Sequence, residues 1–201
     1  MVATTEEMID LVSFYVLERQ IGIAELLACE FLDDCSSSPL KQSGYAILSI
    51  AMAYFEMIEQ FSQGRESSQG ESTSFFMAGF RKVYPCSPLS NDDIRQIYKW
   101  IRCGMYHGGM TRYATRLSRF FPEGFALSGG EIHINPGRVV EEIKSHFLGY
   151  VATLRNPCCS YEREAFRRYC EALGVGEAVS DYVHSSTTQL TKTTPAPWEQ
   201  G

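Results

Sequence analysis

Apolar residues recur along most of this chain at the three- and four-residue spacing of helices. Met8, Leu11, Val12, Tyr15 and Val16 share one face, Ile23, Leu26 and Leu27 continue the stripe, and Thr4 with Glu7 forms a capping box ahead of it. The pattern predicts a first helix over about residues 5–33, broken by the polar, serine-rich stretch 33–39. Ile47, Ile50, Ala51, Tyr54, Phe55, Ile58 and Phe61 predict a second long amphipathic helix, antiparallel to the first because the link is short. Residues 62–74 are mostly Ser, Gly, Gln and Glu without periodicity and read as a mobile loop. A third helix is expected over residues 75–83, ending ahead of Pro85.

Ser90 and Asp93 form a second capping box, and Ile94, Ile97, Tyr98, Ile101 and Met105 make the apolar face of a fourth helix that stops at Gly108-Gly109. The period then changes. Phe125, Leu127, Ile132 and Ile134 alternate around Gly129-Gly130, which predicts a β-hairpin over 125–135 closed by Pro136. Val140, Ile143, Phe147, Val151 and Leu154 give a fifth helix and residues 161–173 a sixth, while 185–201 reads as a polar, disordered tail. The fold class is mainly α: an antiparallel helical bundle in one domain, residues 1–184, with one small β-hairpin insertion.

Composition adds boundaries. The 201 residues are 44% hydrophobic and 21% charged, enough for an ordinary buried core. A net charge of -6 gives no overall attraction to nucleic acid or an anionic membrane, so a polyanion must be met by a local patch. The longest nearly apolar run, residues 45–55, is about half of the roughly 20 residues a spanning helix needs. Residues 1–10 are acidic rather than a basic leader. A soluble, cytoplasmic protein with no membrane partner is expected. The seven cysteines are odd in number and irregularly spaced, without a CxxC, which argues against both a disulfide framework and a zinc ribbon. Cys158, Cys159, Cys170 and His184 make a poor tetrahedral set because two of them are adjacent. Buried reduced thiols, and neither metal nor other cofactor, are the expectation.

The P-loop, GxGxxG, HExxH and GxSxG patterns are all missing from the sequence. Chemistry concentrates instead at the end of the fourth helix. At about 100° per residue its apolar stripe centres between Ile101 and Met105, with Arg102 at the edge and Trp100, Cys103 and His107 on the far side. Arginine offers a planar cation that grips phosphate, and histidine a proton donor or acceptor near neutral pH. Together they are the minimum for cleaving a phosphodiester without metal. One histidine cannot serve as acid and base at once, so a symmetric homodimer pooling two Arg/His pairs is the economical arrangement. Arg112, Arg116 and Arg119 stand at helical spacing and suit a basic strip along an RNA backbone. Tyr106 and Trp100 suit stacking on unpaired bases, and Trp100, opposite its own core, suits a dimer anchor still better.

An Arg separated by four residues from a His near a helix end, in a compact helical bundle, resembles the HEPN superfamily. The Arg102-Cys103-Gly104 and His107-Gly108 form, with the trailing hairpin, Asn135-Pro136 and the helix after it, is similar to bacterial HEPN-like proteins over about residues 5–155. The resemblance implies a homodimer whose paired motifs line a cleft. It further implies a metal-independent endoribonuclease of toxin or phage-defence type, often beside a nucleotidyltransferase-like antitoxin. Arg102 and His107 would be the catalytic pair and Glu56 the acidic residue set against them. The alternative is a non-catalytic RNA- or nucleotide-binding module, since Cys103 stands where active members carry Asn, Asp or His. In a third reading Arg102 and His107 merely hold a dimer together.

Overall fold

The computed structural model describes residues 3–32, 43–111 and 115–177. Thr4 starts the first helix as its capping box predicts: the Thr4 hydroxyl accepts from the Glu7 N–H, and the Glu7 carboxylate accepts from the Thr4 N–H at 2.7 Å. α1 (Thr5–Phe14) continues through a π-helical segment (Tyr15–Ile21) into α2 (Gly22–Leu32). This segment corrects the stripe read from the sequence. After Val16 the next buried residue is Ile21, five positions on, followed by Ala24 and Ala28. Ile23 and Leu26, which an unbroken period would turn inward, are 44% and 68% exposed. A π turn holds an extra residue and so rotates everything after it by roughly 100°.

α3 (Gly44–Gln63) is the central helix and packs against α2, α4 (Ser72–Val83), α7 (Pro136–Arg155) and α8 (Ser160–Ala172). Its Phe55 is fully buried, with ring centroids 5.3 Å from Phe76 and 5.2 Å from Phe80 on α4. α4 meets α3 at Gly79, where a Cβ would lie 1.7 Å from the Phe55 carbonyl oxygen. Glycine is the residue that permits that approach.

The expected hairpin is present as β2 (Phe125–Ser128) and β3 (Glu131–Ile134). Gly129 and Gly130 turn it with φ of 60° and 80°, the sign that a two-residue turn requires. A further strand, β1 (Thr115–Leu117), pairs in parallel with β3 and gives the order β1-β3-β2. Three residues are too few for a readable period. Arg116 therefore stands on a strand, where its guanidinium pairs with Glu131, and the helical basic strip expected of Arg112, Arg116 and Arg119 is not formed. Arg112 itself lies outside the described residues. Phe125, Ile132 and Ile134 are buried, and Phe125 seats the sheet on the bundle at 5.3 Å from Phe80.

The stretch 62–74 is shorter as a loop than the sequence suggests, since α3 reaches Gln63 and α4 begins at Ser72. Its residues are also tied together. Glu71 accepts from the Arg65 guanidinium and from Ser68, which hold its carboxyl down to about 2. α5 (Asn91–Ile97) starts at the Ser90–Asp93 capping box. It runs through a second π-helical segment (Tyr98–Arg102) into α6 (Cys103–Gly108), which Gly109 ends with φ 67°. Asn135 caps α7 and also donates to the carbonyls of Arg119 and Phe121, joining the sheet connection to that helix. The break at 33–39, His184 and the tail 185–201 lie outside the described residues. Among the described residues no helix is long and apolar enough to cross a membrane.

One buried polar contact links α3 to α7: the Tyr54 hydroxyl and His146 Nδ1 lie 2.7 Å apart. Burial, reinforced by the Lys82 charge, lowers the His146 pKa. An unfolded chain therefore takes up this proton first, near its ordinary value of about 6.5, and folding loses stability as pH falls below that. The advantage of the wild type over His146→Gln should shrink between pH 7 and 5.5, as read from urea midpoints at each pH.

Candidate functional site

The second π-helical segment sets the geometry around Arg102. The Cys103 N–H bonds the Tyr98 carbonyl five residues back, which widens the turn that presents the arginine. Trp100 and Cys103, assigned by an even 100° step to the far side, instead pack partly buried against the core. Tyr98 is buried; burial above all, then the neighbouring Cys103, raises its pKa.

Arg102 and Glu56 come together across the α3 contact. Arg102 Nη2 donates to Glu56 Oε2 at 3.0 Å, and the Ser67 hydroxyl donates to the other carboxylate oxygen at 2.8 Å. Glu56 is 9% exposed, so the carboxylate is a nearly buried anchor for a half-buried guanidinium. A charge so placed needs its partner. The guanidinium carbon also sits 5.1 Å from the Tyr106 ring centroid and 5.8 Å from that of Tyr98. A carboxylate on one side and aromatic faces on the others thus fix the plane of the arginine.

His107 occupies the last turn of α6 and is exposed. Its ring meets Tyr106 edge to face, centroids 5.2 Å apart. Tyr106, itself 76% exposed, therefore has Arg102 and His107 as its two neighbours, and the three side chains form one patch. Beside it opens a recess of about 350 Å³ lined by Ser49, Met52, Ala53, Arg102, Met105 and Tyr106.

Of the residues singled out from sequence, Glu56, Arg102, Tyr106 and His107 belong to this patch, whereas Arg116 stands on the sheet, paired with Glu131. Sequence reading missed Ser67 and Ser49. Ser67 carried no usable signal, because it lies in a stretch without period. Ser49 did: with Ala53 and Glu56 it forms an i, i+4, i+7 set on α3, a narrow band of small and acidic residues beside the apolar face.

The described cysteines are free thiols, but Cys29, Cys86 and Cys158 are exposed and Cys103 and Cys159 partly so, which corrects the expectation that most are buried; Cys170 is buried, which pushes its thiol up to about 12. Among the described residues no three His, Cys, Asp or Glu side chains gather where they could hold a metal ion. Comparison with protein-family models, with curated proteins and with solved structures finds no match.

Proposed function

We propose that the chain is a metal-independent endoribonuclease, of toxin or phage-defence type, acting as a homodimer whose paired Arg102 and His107 residues face one cleft. The observation that carries this reading is the fixed Glu56–Arg102 pair, joined through Tyr106 to an exposed histidine, with Arg102 and Tyr106 lining an open recess. Arg102 stabilises charge on the phosphate as the transition state forms. His107 takes the proton of the ribose 2′-hydroxyl, whose oxygen attacks phosphorus. His107 of the partner subunit protonates the departing 5′-oxygen, so the products end in a 2′,3′-cyclic phosphate and a 5′-hydroxyl. The acidic chain, with its net charge of -6, relies on this local patch for RNA contact. A nucleotidyltransferase-like antitoxin is the partner class that the HEPN resemblance adds.

The test is incubation of a mixed RNA pool with the purified protein in excess EDTA, with analysis of product ends. Wild type should cleave, leaving cyclic phosphates, and His107→Ala should lose at least about 100-fold in rate, the scale of one general acid–base group. Cleavage that EDTA abolishes, or that His107→Ala leaves unchanged, would rule the proposal out.

A second reading, RNA binding without cleavage, has its own supporting observation. Cys103, next to the arginine, packs partly buried against the core and does not line the recess. Under that reading RNA stays intact while binding weakens with salt and with Arg102→Ala.

A further inference from the structure

The recess beside Arg102 has a composition that cleavage of the backbone does not explain. Cleavage needs the cation and the histidine; it does not need an apolar hollow. Met52 and Met105 contribute side chains partly or wholly turned to the core, Ala53 leaves space for want of a longer side chain, and the exposed Tyr106 ring stands at the edge. Its volume of about 350 Å³ lies at the small end of the roughly 300–1,000 Å³ typical of small-molecule sites. Lined mainly by apolar side chains and bordered by a cation, such a hollow matches a single heteroaromatic ring attached to a phosphate.

The polar groups narrow this further. The Ser49 hydroxyl has two acceptors in reach, the Tyr45 carbonyl at 3.0 Å and the weaker Met105 sulfur at 3.8 Å, and with one proton to give it donates to the carbonyl. Its oxygen is left to accept. A ligand meeting Ser49 is therefore favoured when it brings an N–H donor. Arg102, at the same rim, gives one nitrogen to Glu56, and its other nitrogens have no partner among the described residues.

We propose that this recess holds one unpaired nucleobase of an RNA strand whose phosphate meets Arg102, and that Ser49 selects a base with an exocyclic amino group. The inference rests on the ribonuclease reading in taking RNA as the ligand, and it adds a base-selecting residue that does no chemistry itself. Bases in a duplex are stacked and paired, so single strands bind and duplexes do not. Cytosine and uracil have the same ring size and differ at the position Ser49 would read, which makes their comparison the cleanest.

Fluorescence anisotropy at fixed salt, with labelled oligo(rC), oligo(rU) and a duplex, all 2′-O-methylated so that no 2′-hydroxyl can attack phosphorus, tests the proposal on wild type, Ser49→Ala and Ala53→Leu. Ala53 is exposed on α3 and leucine is a good helix former, so Ala53→Leu fills the hollow without straining the helix. Wild type should prefer oligo(rC) by about tenfold, the factor that one hydrogen bond of ordinary strength supplies. Ser49→Ala should level the two, and Ala53→Leu should weaken both by at least about tenfold, the loss expected when a stacked base is displaced. Equal binding of the two homopolymers by wild type overturns the role of Ser49, and unchanged binding by Ala53→Leu overturns the recess itself. A change of oligomeric state in Ala53→Leu, seen by light scattering, would mean that a second copy fills the hollow, and also overturns it. Cleavage of the RNA pool by Ala53→Leu at the wild-type rate removes the base site and leaves the nuclease standing, whereas no RNA binding by wild type removes both.

Discussion

The Gly79→Ala protein should unfold at markedly lower urea than wild type, with a loss of about 3 kcal/mol or more. The added Cβ would fall 1.7 Å from the Phe55 carbonyl oxygen, and backbone cannot swing aside as a side chain can. α4 would have to back away from α3, and the ring cluster of Phe55, Phe76, Phe80 and Phe125 would open with it. An exposed helical glycine changed to alanine normally gains about 0.5–1 kcal/mol, so the sign of the effect is itself the test. A midpoint equal to or above that of wild type would show that the two helices are not in backbone contact.

Arg102→Ala should remove function and also cost stability, and a second substitution should separate the two. With the guanidinium gone, the Glu56 carboxylate stays nearly buried with Ser67 as its remaining partner. Breaking a buried pair costs about 3–5 kcal/mol, and the partial exposure of Arg102 reduces this to about 2 kcal/mol. The double variant Arg102→Ala/Glu56→Gln carries no orphaned charge, so most of that loss should be recovered in its thermal midpoint. On the proposed ribonuclease reading, RNA cleavage and binding should not recover, because the cation proposed to meet the phosphate is still missing. If the double variant regained RNA cleavage, Arg102 would be a structural counter-ion for Glu56 and nothing more. If the single variant were as stable as wild type, the pair would be too solvated to anchor anything.

Read residue by residue, the helices and their ends were legible before any coordinates. Thr4 and Glu7, Ser90 and Asp93, and Gly108-Gly109 mark ends that depend on neighbours within one turn, and the structure has each of them. Gly129-Gly130 likewise declared the hairpin, since a two-residue turn is a local demand on φ. The π-helical segments were not legible. Nothing in 15–21 or 98–102 marks an extra residue per turn, yet it moves Ile23 and Leu26 outward and turns Trp100 and Cys103 toward the core. β1 was equally hidden, because Thr115–Leu117 becomes a strand by pairing with β3, a partner that its own three residues do not specify.

The candidate site divides in the same way. Sequence alone determined that Arg102 and His107 lie about one and a half turns apart at a helix end and that Tyr106 stands one turn from the arginine, because helical spacing and the glycine stop are properties of adjacent residues. It also determined that any polyanion must be met locally, since net charge is a sum over composition. Glu56, 46 residues away in the chain, was named beforehand only through a family resemblance, and the tertiary structure decided that its carboxylate is the one that fixes Arg102. It decided too that Ser67 completes the anchor, and that Ser49 and Ala53 open a recess at its side. Those contacts cross from one helix to another, and the distance between two helices is set by what packs between them, here by a glycine and a cluster of phenylalanines, which no local pattern along either helix encodes.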